Sequence, residues 1–322
     1  MKKILVFGHS IVDPTFFNTR VLRIVNTQDD YYFGKIISKA TGIDDVRTFS
    51  ISGSGNAWIS SSVIKNLDII DEDTLVIINW GFVDRYDLLL SSHNDDIQKE
   101  LESCIDDRFK FLDFDKTFDF DGKEKSSGLR YWPTAHFMFG PKMKLKQFVT
   151  QPTQLKDFYE KVVMIQHLLK SKKCMQAHYM QLPPAHYTFR QLIQGLYSYL
   201  NENSMNEPRY IKYNFYKEFE NIHEENPELD SWKKLVDWSL FSEFMFEFYQ
   251  KHDLPFVCTD YYNNFHQTPI NLYLYIKSAI LDKLGIPCKD LLEEMKIATE
   301  DHCKKFNSIY DWDDDNIKKS LE

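Results

Sequence analysis

Two short apolar runs mark the beginning of the chain, Lys3 to Gly8 and Thr74 to Trp80, which reads TLVIINW, and a further strand is read between them at Val46 to Ile51. Runs this short and this apolar leave little face for solvent, so each predicts a strand of a sheet buried on both sides. Helix-length stretches lie between them, Tyr32 to Thr41 and Ala57 to Leu67. Strand, helix, strand, helix, strand admits few architectures. Parallel neighbours need long crossovers, the crossovers are right-handed, and helices cover both faces of the sheet. The expectation is an α/β chain folded as a three-layer α/β/α sandwich around a parallel sheet.

The alternation lapses over residues 86–154, then resumes with a predicted helix at Leu155 to Lys170 and a strand at Cys174 to Met180. A second interruption, 183–250, reads as mostly helical, through QLIQGLYSYL and SWKKLVDWSLFSEFMFEFYQ. A last strand is predicted at Pro255 to Asp260 and a last framework helix at Ile270 to Leu284. The reading is one five-stranded domain over 1–288, with helical insertions at about 86–154 and 183–250. The tail, 289–322, carries a helix and the acidic run Asp313, Asp314 and Asp315, which lacks calcium-loop spacing and reads as a solvated end. Aromatic residues make up 15% of the 322 positions, and many fall in the interruptions, as in FKFLDFDKTFDF, RYWPTAHFMF and DWSLFSEFMFEFY. The insertions are therefore expected to form an apolar cap over the sheet.

Charge and cysteine usage narrow the function classes. A net charge of −9 disfavours broad nucleic-acid binding, which depends on neutralising phosphates; Lys142, Lys144 and Lys146 read as a solvated loop. No stretch approaches the ~18 apolar residues of a membrane span, and Ile4 to Phe7 is too short for a signal-peptide core. Five cysteines are scattered without a CxxC pair, which suits a reducing, cytoplasmic setting; Cys174 and Cys258 sit in apolar runs and read as packing residues. His178 and His186 lack metal-ligand spacing, so no metal is expected. No third glycine follows Gly53-Ser54-Gly55 to complete a dinucleotide fingerprint, and no P-loop is present, so no nucleotide cofactor is expected either.

Ligands of open parallel sheets bind outside the carboxyl ends of the strands. That rule selects Gly8-His9-Ser10, Ser50 to Asn56, Gly81 to Arg85, and Asp260 to Thr268, which contains His266. A hydroxyl, a histidine and small-residue loops on one rim are the inventory of nucleophilic acyl transfer: nucleophile, base, and N–H donors for an oxyanion. Each residue also has a structural reading. Ser10 and His266 can cap the helices that follow them, Asp84 with Arg85 can form an ion pair or a cap, and Trp80 reads as core.

In this arrangement the sequence resembles the SGNH, or GDSL-type, hydrolases. VFGHS matches their first block with His9 in the Asp place and Ser10 on the nucleophile. TFSISGSGN fits the second block, with Ser50 or Gly53 as oxyanion donor according to register. Gly81-Phe82-Val83-Asp84 stands for Gly-x-Asn-Asp, keeping Asp84 and replacing the asparagine by Val83. Asn263-Asn264-Phe265-His266 stands for Asp-x-x-His, keeping the base His266 with Asn263 in the Asp place; Asp260 is a second candidate partner for the base. HQTPINLYLYIKSAILDKL continues as the family's closing turn and helix.

The resemblance covers the strand framework and not the insertions. It implies the flavodoxin-like SGNH fold, Ser-His catalysis by Ser10 and His266 with Asn263, an oxyanion site of Ser10 with Ser50 or Gly53, and support from His9, Gly81, Asp84 and Asp260. The implied substrate is a small-molecule or glycan ester, such as an O-acetyl carbohydrate, with no cofactor. Val83 and Asn263 motivate the rival reading, a degenerate SGNH scaffold with a glycan-binding or structural role. The Lys, Asn, Ile, Phe and Tyr bias points to a low-GC source, and divergent members of the resembled family are frequent in bacteriophage and marine microbial sequences; a phage origin would imply a virion location.

Overall fold

Side-chain alternation along the strands divides the interior into two cores. Ile4, Val6, Leu75, Ile77, Ala177 and Tyr179 enter one, while Leu5, Phe7, Val76, Ile78, Trp80 and Met180 enter the other. These features come from a computed structural model that describes residues 1–9, 12, 31–51, 53–83, 85–91, 118–120, 123, 125–126, 128–134, 151–181, 184, 223–254 and 267–305. Its strands are β1 (Lys3–Gly8), β2 (Val46–Ser50), β3 (Thr74–Trp80), β4 (Tyr86–Leu90), β5 (Arg130–Thr134) and β6 (Met175–Met180). Strands β1, β2, β3 and β6 form a four-stranded sheet in the order β2-β1-β3-β6. Every neighbouring pair in it is parallel, with Gly8 opposite Ser50 and Asn79 opposite Tyr179.

Strand order dictates where the helices lie. The chain runs outward from β1 to β2, then back past β1 to β3. Right-handed crossovers in opposite directions place their helices on opposite faces. Accordingly α1 (Phe33–Thr41) packs Phe33, Ile36, Ile37 and Ala40 into the first core, and α2 (Asn56–Lys65) packs Trp58, Ile59 and Val63 into the second. The step from β3 to β6 continues in the second direction, and α3 (Gln151–Ser171) lies on the same face as α2, burying Phe158, Val162, Ile165 and Leu169. A short helix α4 (Leu229–Lys233) adds Leu229 to that face. The first face is closed by α5 (Met245–Lys251), α6 (Pro269–Tyr275) and α7 (Leu292–Lys305). Thr268 caps α6 by accepting from the Asn271 N–H at 3.4 Å, and Thr299 of α7 accepts from the Ile270 N–H at 3.0 Å, so the tail helix joins the main core. Among the described residues no helix is long and apolar enough to cross a membrane.

The structure departs from the sequence reading in three places. The first insertion was expected to be helical, but its described ends form the antiparallel pair β4–β5, with Leu90 opposite Arg130. Runs rich in aromatic and branched residues favour a pleated surface, and here that preference is met by pairing between stretches some 40 residues apart in sequence. Helix α3 begins at Gln151, a few residues inside the predicted insertion. The helix read as continuous from Ile270 winds as α only to Tyr275 and then as a π-helix over Ile276–Asp282. The predicted fifth strand, 255–260, and the acidic run at 313–315 lie outside the described residues. On the outer edge of β6, Ser242 N–H donates to the His178 carbonyl at 2.8 Å, next to an isolated parallel bridge between His178 and Phe241.

Candidate functional site

The loops after β1, β2 and β3 meet at the carboxyl end of the sheet and are joined by side chains. Ser54 Oγ donates to the Gly8 carbonyl at 3.4 Å, tying the second loop to the end of β1. Asn56 makes a two-point contact with Gly81: its Nδ2 donates to the Gly81 carbonyl at 3.2 Å, and its Oδ1 accepts from the Gly81 N–H at 2.8 Å. One side chain thus satisfies both backbone groups of the residue that follows β3. Between these anchors Gly53 sits at φ +84°, a left-handed conformation open to glycine and strained for other residues. Ser54 and Asn56 are buried, so these bonds act where water competes little.

Of the residues singled out from sequence, the structure brings Gly53 and Gly81 together through Ser54 to Asn56, with Gly8 alongside. Ser50 is half-buried at the end of β2, opposite Gly8. His9 is buried, and its ring packs beside Phe82 at a centroid distance of 6.1 Å. The His9 carbonyl accepts from the Val12 N–H at 3.0 Å. Arg85 lies over the other partner of that contact, its guanidinium 4.8 Å from the Phe82 ring centre. Ser10, Asp84, Asp260, Asn263 and His266 lie outside the described residues. Val83, in the place of the resembled asparagine, is buried in the second core.

Asp87 escaped the sequence reading, and Ser54 and Asn56 fell within the selected loop, Ser50 to Asn56, without a role of their own. Asn56 had a weak signal, an asparagine where a glycine-rich loop turns into a helix. Asp87 had none, because its partners lie some 30 positions earlier. Its Oδ1 accepts from the Gly55 N–H at 2.7 Å and its Oδ2 from the Trp58 N–H at 2.8 Å. Gly55 is the N-cap of α2, and a Cβ there would stand 2.6 Å from the Arg85 carbonyl oxygen. Only a bare backbone lets β4 approach this closely. Burial pushes the Asp87 carboxyl up to about 6, against the opposing pull of the Gly55 and Trp58 N–H groups and of Arg85 and Lys161.

Elsewhere polar groups serve packing. His178 is buried, its Nδ1 accepting from Trp80 Nε1 at 2.9 Å and its Nε2 lying 3.0 Å from Gln176 Oε1. That pairing assigns the proton to Nε2, and burial lowers the ring's pKa to about 3, so it stays neutral. Among the described residues no group of three or more His, Cys, Asp or Glu side chains is arranged to hold a metal ion. The chain matches no protein-family model and no curated protein at a significant level.

Proposed function

We propose that this chain is an SGNH-like serine hydrolase acting on an ester or O-acetyl group, such as one carried by a carbohydrate. The observation that carries the reading is the joining of three predicted loops, Gly8-His9, Gly53 to Asn56 and Gly81, at one end of the parallel sheet. In this reading Ser10, next in sequence to His9, attacks the ester carbonyl while His266 takes its proton. Backbone N–H groups of Ser10 and of Gly53 or Ser50 hold the oxyanion of the tetrahedral intermediate. His266 returns the proton to the leaving alcohol, and water then hydrolyses the acyl-serine by the same steps in reverse. Asn263 or Asp260 orients His266, while His9, Gly81 and Asp84 support the rim. No cofactor takes part.

The test is covalent labelling by a fluorophosphonate, which requires no knowledge of the natural ester. The expected result is one labelled site, at Ser10, absent in Ser10→Ala. A wild type that stays unlabelled while folded would remove the hydrolase reading.

A second reading, a catalytically degenerate scaffold with a glycan-binding or structural role, is favoured by Val83. Its side chain is buried in the second core and has no hydrogen to donate to an oxyanion. Loss of one such donor costs about 10²–10³ in rate. Absence of labelling together with retained glycan binding would support this alternative.

A further inference from the structure

We propose that Asp87, on the first strand of the insertion, is the positioning residue of the rim: its ionised carboxylate fixes the turn Gly53 to Asn56 by holding the start of α2. The functional part of this inference rests on the hydrolase reading, in which that turn supplies an oxyanion donor. Helix α2 has no side-chain cap of its own at its N-terminus. A helix N-terminus leaves N–H groups without partners, and a capping box normally satisfies two of them. There the N-cap side chain accepts from the third helical N–H, and the third side chain accepts from the N-cap N–H.

Here neither position can contribute. The N-cap is Gly55, which has no side chain, and the third helical residue is Trp58, whose indole N–H donates instead to the Asp119 carbonyl at 3.1 Å. Asp87 takes over both halves, one oxygen for each N–H, at 2.7 and 2.8 Å. The charge also lies at the positive end of the helix dipole. The turn that α2 anchors holds Gly53, Ser54 and Asn56, the residues joined to Gly8 and Gly81. An insertion residue thereby sets the geometry of the second rim loop.

Ionisation of Asp87 decides how well it does so. The carboxylate accepts from both N–H groups, whereas the protonated acid keeps one good acceptor and presents a hydroxyl to the other. Among the described residues, the charged or titratable groups that bear on it are Arg85 before β4, Lys161 on α3, and Tyr131 on β5. Of these, Tyr131 stays neutral in the relevant range, since burial and the Asp87 charge raise its hydroxyl pKa against the lowering effect of the hydrogen bond it donates to Ser61 at 2.8 Å.

The decisive experiment follows the amide proton and nitrogen shifts of Gly55 and Trp58 in the full-length protein between pH 8 and pH 5. Both are expected to move together with one midpoint near the value of about 6 set by the buried carboxyl. In Asp87→Asn the midpoint disappears and both resonances are displaced at pH 8. Independent or absent titration in the wild type, or its survival in the variant, would overturn the proposal. The wild-type titration needs no substitution, so a variant that failed to fold would leave the result intact.

Fluorophosphonate labelling of Ser10 is the second arm. Asp87→Asn is expected to slow it about 10²-fold at pH 8, the scale of a misplaced reacting group, and to remove from the wild-type profile the component that coincides with the Gly55 and Trp58 amide midpoint, leaving the component set by the base His266. Labelling of the variant at the wild-type rate and with the wild-type profile would refute positioning while leaving the hydrolase standing. A wild type that titrates at Gly55 and Trp58 but takes no label refutes the hydrolase while the amide titration upholds the hold on the turn.

Discussion

At Asn79 a primary amide is completely buried, and neither its oxygen nor its nitrogen has a hydrogen-bond partner among the described residues. An unsatisfied buried polar group costs about 1–3 kcal/mol. The residue lies on β3 beside Gly8, whose missing Cβ would have stood 2.7 Å from that of Asn79. Asn79→Leu, close in shape and without polar atoms, is expected to stabilise the protein by about 1–3 kcal/mol, measured by urea unfolding. His178 shows the opposite condition: its ring, also buried, has Trp80 and Gln176 as partners. At this scale the sequence revealed residue types and their place after each strand. Gly53 and Gly81 could be found that way because a turn beside a strand end imposes a local requirement. Asp87 could not, because its role comes from an approach between two separate elements, and nothing near Asp87 in sequence marks that approach.

Between elements, the tightest approach is that of β4 to the start of α2. Gly55→Ala would drive a methyl group to 2.6 Å from the Arg85 carbonyl oxygen, a backbone atom with little freedom to move. The expected effect is a destabilisation of about 1–3 kcal/mol by urea unfolding, with the Gly55 and Trp58 amides shifted as in Asp87→Asn. Had the space been merely unfilled, alanine would be neutral or stabilising at this φ of −99°. Of the elements, β1, β3, α1 and β6 were legible almost to the residue, because a buried strand or an amphipathic helix announces itself by period. The β4–β5 pair was not, since its partners are separated by some 40 residues of charged and aromatic chain. Nor was the π-helix: over two turns, apolar spacing suits either winding, and Ile276, Ala279 and Ile280 are buried in the winding observed.

For the molecule as a whole, Asp87 links function to stability with a definite sign. Its carboxyl pKa lies above the ordinary 3.8, at about 6, so the native state holds the proton more tightly than the unfolded chain. Its contribution to stability is therefore fully present below pH 4 and declines as pH rises to 6, by an amount on the order of 3 kcal/mol. The stability difference between wild type and Asp87→Asn, from urea unfolding at pH 4 and pH 7, is expected to shift against the wild type by up to about that amount. A flat difference would contradict it. The ionised form that holds the turn is thus the form that costs the fold most. The parallel sheet covered by helices on both faces was legible from the alternation of strands and helices, whereas the order β2-β1-β3-β6 was not, because handedness fixes the faces of the crossovers and not the order of the strands. How the insertion attaches was not, because Ser61 to Tyr131, Trp58 to Asp119 and α2 to Asp87 are contacts between distant stretches. That attachment has a consequence for how such a chain can be remodelled. Cutting out 86–154 to obtain a minimal sheet would remove the acceptors of Gly55, Trp58 and the Trp58 indole together. A shortened chain would keep the head of α2 satisfied only with a new acceptor side chain placed there, so the insertion and the framework are to be engineered as a single unit.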